Sequence, residues 1–276
     1  MRKQEELNLL LSLFLLISFI LLKNKKLNYY YITGTSRGIG KAFAEHLLEN
    51  PSNFVFGISR SKTIDHPNYT HYHLDLTDVN SIKDFRFDLH SNPKKIYLIN
   101  NAGAIGFIKP IGKLDADIII KNYTLNLIAP SVLTNAFIEC YNTTDCEKVI
   151  VNMSSGAGKN PVDGWAVYCS SKAGLDMFSR VVDAEQKIRA EQPQESIHKG
   201  FKIFSIAPGV VNTAMQSEIR SAEKDDFSRL EDFISYKVKN QLSEPKVISD
   251  KYLKLLNDLN SIKGVLSSIK DYDKIS

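Results

Sequence analysis

Apolar residues recur along the chain in two alternating patterns. Short runs rich in β-branched and aromatic residues fall at 29–33, 54–59, 71–74, 95–100, 148–153, 201–206 and 265–269. Between several of them lie longer stretches with apolar residues three and four apart, at 41–49, 81–89, 118–140 and 168–189. The first kind suits strands buried on both faces, and the second suits amphipathic helices. In 41–49 the apolar side is Ala42, Phe43, Ala44, Leu47 and Leu48, and Asn50-Pro51 ends the helix. Strands that alternate with helices in this way predict an α/β fold. The expected architecture is one doubly wound domain, a seven-stranded parallel sheet with helices on both faces. Its ligand site should lie at the carboxyl ends of the strands. No internal repeat or low-complexity linker interrupts the pattern.

Residues 9–22 do not fit this alternation. They read LLLSLFLLISFILL, fourteen residues without a charge. A membrane-spanning helix needs about 20 apolar residues, so the run is short for that role. Arg2 and Lys3 precede it, as in a secretory leader, but Glu5 and Glu6 do too, and no small-residue cleavage site follows. Two readings stand: a short membrane anchor, or a misassigned start, with Leu27 opening the compact domain. The expected division is therefore a hydrophobic extension, 1–26, and a domain, 27–276. This division also locates the charge. The chain has 35 Lys and Arg against 31 Asp and Glu, a net of +4. Residues 1–26 hold five of the basic and two of the acidic residues, so the body is close to neutral. Nothing resembles a nucleic-acid-binding module. Cys140, Cys146 and Cys169 are too few for a disulfide framework. His71 and His73 share a strand face without a third ligand, so no metal site is expected. Asn152-Met153-Ser154 is formally a glycosylation triplet but reads as part of the fold.

The segment after the first strand carries the first chemistry. Thr33-Gly34-Thr35-Ser36-Arg37-Gly38-Ile39-Gly40 links a strand to a helix. Gly34 permits a tight turn, Gly38 lets the backbone approach a pyrophosphate, and Gly40 allows close packing of helix on strand. Free N–H groups of the helix start, with those of Ser36 and Ile39 in the loop, suit a dinucleotide. The second strand ends Ile58-Ser59-Arg60-Ser61, with no acid to hold a ribose 2′-hydroxyl. Arg60 and Arg37 can instead fork onto a 2′-phosphate, with Ser59 and Ser61 as donors. The cofactor expected is therefore NADPH/NADP+. The Gly-x-x-x-Gly-x-Gly spacing resembles the short-chain dehydrogenase/reductase family, whose Rossmann-type fold matches the predicted alternation. That resemblance places Asp75 near the adenine. It gives Asn101, Ala102 and Gly103 the job of making room for adenosine. It brings Pro208, Gly209, Val211 and Thr213 over the nicotinamide.

Tyr168-Cys169-Ser170-Ser171-Lys172 sets a tyrosine and a lysine four apart, on one face of a helix. A carbonyl reduced by hydride needs a proton donor, and a phenol with a pKa of about 10 needs a nearby cation to serve. Lys172 can supply that charge and hold the nicotinamide ribose. Ser155 can hydrogen-bond the substrate oxygen. Ser154 competes for this role, and the family spacing favours Ser155. The resemblance assigns Asn126 to a water-linked proton relay toward the lysine. Asn126, Ser155, Tyr168 and Lys172 are thus the expected catalytic set.

A narrower resemblance rests on Ser154-Ser155-Gly156-Ala157-Gly158-Lys159-Asn160-Pro161, Gly164-Trp165, Tyr168-Cys169, Ala207-Pro208-Gly209-Val210-Val211, Met215-Gln216 and a polar, helical stretch at 221–233. These look like (S)-benzoin-forming benzil reductases and like sepiapterin reductases. The likeness implies reduction of one carbonyl of a vicinal diketone, a small-molecule substrate. Trp165 either stacks on a planar substrate or belongs to the core. Residues 215–242 are expected to form a lid. Aligned on Tyr272, the place where sepiapterin reductases carry a pterin-gripping acid holds Lys270, with Asp271 beside it. A cofactor-dependent reductase implies a cytoplasmic location, or membrane association through residues 9–22. A homo-oligomer, dimer or tetramer, paired through the long helices is implied by the resemblance alone.

Overall fold

Side chains of the central strands alternate between two faces, and both faces are apolar. The computed structural model describes residues 26–192 and 200–272. Residues 1–25 lie outside them, and with them both readings of the N-terminal extension. Among the described residues, the strands are β1 (Leu27–Thr33), β2 (Asn53–Ser59), β3 (Tyr69–His73), β4 (Pro93–Asn100), β5 (Glu147–Met153), β6 (Phe201–Ala207) and β7 (Leu266–Ser268). They form one sheet in the order β3-β2-β1-β4-β5-β6-β7, with every neighbouring pair parallel. On β4, Tyr97 and Ile99 enter one core cluster, whereas Ile96 and Leu98 enter the other. Helices α1 (Gly38–Leu48) and α8 (Pro245–Asn257) cover the first face through Phe43, Leu47, Ile248 and Tyr252. The opposite face is covered by α2 (Val79–Asp84), α4 (Ala129–Tyr141) and α5 (Ala166–Ala190), through Ile82, Leu133, Phe137 and Val182. This is the doubly wound Rossmann-type sheet predicted. Its winding reverses between β1 and β4, which opens a crevice there.

Two helices differ from expectation. The stretch 81–89 is helical only to Asp84. Beyond it the chain is extended, because Phe85 and Phe87 turn into an aromatic cluster with Tyr31, Tyr72, Phe137 and Tyr141. His90 stacks on Tyr29 with ring centroids 3.8 Å apart. Burial pushes its imidazole down to about 4, so it stays neutral. Packing here outweighs helix continuation. The stretch 118–140 divides into α3 (Ala116–Tyr123), a π-helical turn (Thr124–Ile128) and α4. Pro130 stands at the start of α4 and has no N–H, so the carbonyl of Asn126 loses its α-helical partner. The extra residue of the π turn absorbs that break. The outward Ile120 on α3 and Met177 and Ile188 on α5 stay exposed, on the helices where pairing is expected. Among the described residues, no helix is long and apolar enough to cross a membrane.

Lys148 of β5 is 1% exposed. Its ammonium donates to the carbonyls of Tyr141, Asn142 and Thr144 at 2.9–3.3 Å, at and just beyond the end of α4. It also lies 5.0 Å from the Phe201 ring centroid. A lysine on a strand thus caps the helix packed over it. Lys148→Ala removes three charge-assisted hydrogen bonds and the packing of a buried side chain. It is expected to cost about 3 kcal/mol, or roughly 6–12 °C in melting temperature by circular dichroism. An unchanged melt rejects the cap.

Candidate active site

The carboxyl ends of the central strands surround a cleft of about 1290 Å³. Side chains tie those ends together first. Asn101 Nδ2 donates to Thr33 O at 2.8 Å, and Ala102 N donates to Thr33 Oγ1 at 2.9 Å, joining β4 to β1. A Cβ on Gly40 would lie 2.4 Å from Gly34 O, so only glycine lets α1 start this close to the loop. Gly38 adopts φ 60°, and a Cβ there would meet nothing nearer than Thr213 Cγ2 at 3.5 Å. The loop therefore faces open space. Arg37 caps α1 without any side-chain hydrogen bond, whereas Asp78 and Asp115 cap α2 and α3 with theirs. The first-turn N–H groups of α1 remain available to a phosphate, so the donor set fits a dinucleotide.

At the end of β2, Arg60 is exposed and lines the cleft with Arg37. Ser59 lines it too, but its hydroxyl is engaged. It donates to Ser61 O at 3.0 Å and meets His71 Nε2 at 3.1 Å. The phosphate-donor role expected of Ser59 is therefore not supported by the side chain as placed. Burial, ahead of the charges of His73 and Lys62, pushes the His71 imidazole down. Asp75 Oδ1 accepts from Thr77 N and Oγ1, both at 2.9 Å, which closes a turn after β3. On the opposite wall, Pro208, Gly209, Val211 and Thr213 line the cleft. Their strip is pinned by Asn212 N donating to Ser243 O and Ser243 N donating to Val210 O.

Tyr168 and Lys172 sit at the floor on α5, both buried. Ser155 ends its strand connection as the cap of a 3₁₀ turn (Gly156–Gly158) and accepts from Ala157 N at 3.2 Å. Its hydroxyl is close enough to Tyr168 to act on the phenol's proton affinity. Lys172 Nζ donates to Met153 O at 2.8 Å and lies 5.8 Å from the Tyr168 ring centroid. Burial pushes the phenol up, and the Ser155 hydroxyl offsets part of that. Burial likewise pushes Lys172 down to about 8, against the pull of Asp176. Asn126 is fully buried. Its Oδ1 accepts from Ala104 N, and its Nδ2 donates to Ala104 O and Asn122 Oδ1. Asn126 Oδ1 and Lys172 Nζ would lie 2.9 and 3.5 Å from a Cβ on Gly103, so the two groups flank that residue. Gly34, Ser36, Ile39, Asn101, Ala102 and Gly103 line the cleft with the floor residues, whereas Gly40 and Asn126 stand behind its walls.

The outer end is aromatic. Trp165 is 7% exposed, stacked on Phe227 at 5.5 Å and edge-on to Tyr168 at 5.8 Å. Of the two readings of this residue, the structure supports the core one. The segment expected to form the lid holds α6 (Ala214–Arg220), a 3₁₀ turn (Lys224–Asp226) and α7 (Leu230–Val238). The helix foreseen at 221–233 thus begins only at Leu230. Phe233 of α7 packs against Trp165 at 5.3 Å. Two polar ties hold this wall. Asp226, buried, accepts from Lys113 Nζ at 2.9 Å and pairs with Lys109 Nζ at 3.5 Å. The Lys113 hydrogen bond holds its carboxyl below the usual carboxylate range. Asp163 accepts from Ser228 N and Oγ at 2.7 and 2.9 Å. Sequence reasoning missed Asp226, which carries no motif. It also missed Asp176, which repeats the Tyr168–Lys172 spacing once more.

A family model described as short chain dehydrogenase matches residues 28–224. A benzil reductase, (S)-benzoin forming, from Bacillus cereus is 38% identical over 243 residues, 83% of this chain and 94% of that protein. A sepiapterin reductase from Bos taurus is 27% identical over 168 residues, 60% of this chain and 58% of that one. The crystal structure of a short-chain dehydrogenase/reductase from Saccharomyces cerevisiae matches with TM-score 0.70 and 25% identity, covering 88% of this chain and 96% of that one.

The Asp226 tie has a direct test. Asp226→Asn is expected to speed amide hydrogen exchange across 224–233 roughly two- to fivefold, with α1 unchanged. Equal exchange in the variant and the parent lid rejects the tie.

Proposed function

The chain belongs to the short-chain dehydrogenase family, and on that premise we propose that it is an NADPH-dependent reductase of one carbonyl of a vicinal aromatic diketone. Family membership makes it an oxidoreductase working between C=O and CH–OH, on a small molecule and with a nicotinamide cofactor. One observation carries the finer reading. Tyr168, Ser155 and Lys172 meet at the floor of a cleft whose outer end is lined by Met215, Ile219, Phe233 and Tyr236, backed by the buried rings of Trp165 and Phe227.

When bound, the reduced nicotinamide supplies the hydride. Tyr168 Oη delivers the proton to the carbonyl oxygen, and Ser155 Oγ donates a hydrogen bond to that oxygen as its charge grows. Lys172 stabilises the phenolate that remains and holds the ribose. Asn126, beside the break that Pro130 makes in the helix, supports a water-linked proton relay toward Lys172. Reduction needs Lys172 charged. It is lowered only to about 8, so activity holds at neutral pH and falls as the pH rises past that value. The place where sepiapterin reductases carry a pterin-gripping acid holds Lys270, which lines the cleft, while the Asp271 carboxylate accepts from Ser268 N at 2.7 Å. This favours a diketone over a pterin.

NADPH is favoured over NADH by Arg60 and Arg37 beside a strand end that lacks an acid. Arg60→Asp is expected to weaken NADPH binding about ten- to hundredfold, the loss of a charge-assisted contact, with NADH little changed. Fluorescence titration reads this, and equal losses for both cofactors exclude the assignment. Loss of NADPH absorbance with benzil, a small diketone and sepiapterin tests the substrate. Turnover should be highest on the diketones and fall at least about a hundredfold in Tyr168→Phe, with NADPH binding kept. Inertness toward both diketones rejects the substrate class.

A further inference from the structure

Asp176 lies one turn beyond Lys172 on α5, as Lys172 lies one turn beyond Tyr168. It is 6% exposed and borders the inner end of the cleft. Its Oδ1 accepts from Ser205 Oγ of β6 at 2.7 Å. Its Oδ2 lies against the 3₁₀ turn, 3.1 Å from where a Cβ on Gly158 would stand. Gly158 thus leaves space for a carboxylate that no active-site motif includes.

A buried carboxylate held by a neutral hydroxyl is costly unless a positive charge lies near. The charged groups around Lys172 are few. From α5 it faces Tyr168 and Asp176. From β5 it meets the Met153 carbonyl, and from the loop after β4 it stands beside Gly103, with Asn126 Oδ1 on that glycine's side as well. Of these, only Tyr168 and Asp176 are titratable, and Asp176 is the one carboxylate.

We propose that Asp176 is a positioning residue for proton delivery: a buried carboxylate one helical turn from the buried Lys172, it holds that side chain as the ammonium. The proposal rests on Tyr168 and Lys172 being the proton-delivering pair. Burial alone drives Lys172 toward its neutral form, and the Asp176 charge opposes that drive. Ser205 fixes the carboxylate on its far side, so the helix and β6 are joined through the same group.

The test is an NMR titration of the Lys172 ammonium in the cofactor-free protein, which needs no substrate. The titration midpoint should fall by about one pH unit in Asp176→Asn. It should stay at the parent value in Asp176→Glu and in Ser205→Ala, which keep the charge. Asp176→Ser, which leaves room for a water beside Ser205, repeats the charge removal should asparagine disturb the packing. With benzil as substrate, the alkaline limb of kcat should move to lower pH in the same variants and no others. A midpoint unmoved by charge removal, or moved equally by Asp176→Glu, overturns the proposal. A parent enzyme that reduces no dicarbonyl overturns the substrate reading instead, and the titration still decides the role of Asp176.

Discussion

Burying an ammonium is the constraint around which this cleft is organised. Lys172 is 4% exposed and has left most of its water behind. A charge in that position must be compensated by hydrogen bonds and opposite charge or give up its proton. The Met153 carbonyl supplies the first, the aligned Asp176 the second. Glycines at 103 and 158 keep the surrounding backbone close, since a side chain at either would press on the lysine's neighbours. The same dry setting pushes the Tyr168 phenol up, toward holding its proton until a substrate oxygen takes it. Strand pairing, helix register and the π turn all serve to bring these few atoms to the end of β5.

The two ends of the cleft use opposite physics. The glycine-loop end is polar and backbone-built: an uncapped helix start, an open loop and exposed arginines suited to a phosphate. The lid end is apolar and side-chain-built, with stacked rings closing behind Tyr168. Its polar contacts, Asp226 with two lysines and Asp163 with Ser228, bind the lid to the loops around it and leave the rings to face inward. Tyr168 and Lys172 stand where the two environments meet.

Much of this was legible in the sequence because it is local. Apolar runs marked the strands, a glycine triplet marked the loop, and four-residue spacing marked the helix face of Tyr168 and Lys172. What escaped depends on partners distant in the chain. The helix ending at Asp84 stops because Phe87 finds Phe137 and Tyr31. Ser59 read as a free donor because nothing local reveals His71 on the neighbouring strand. Trp165 looked able to stack on substrate until Phe227, sixty-two residues later, covered its face. The π turn is a different case. Pro130 was visible, but apolar periodicity continued across it and masked the break.

The sheet's two margins have a consequence for how the molecule behaves in company. An edge strand offers unpaired N–H and C=O groups to any other strand that drifts alongside. Here one margin is β7, only three residues long and followed at once by a 3₁₀ turn, Ile269–Tyr272. The other is β3, Tyr-Thr-His-Tyr-His, five residues of largely polar sequence. Neither presents a long apolar template. The parallel core, the part most prone to stick to its own kind while folding, is flanked by strands poorly suited to recruit another chain. Resistance to edge-to-edge aggregation is thus written into the two shortest strands of the sheet.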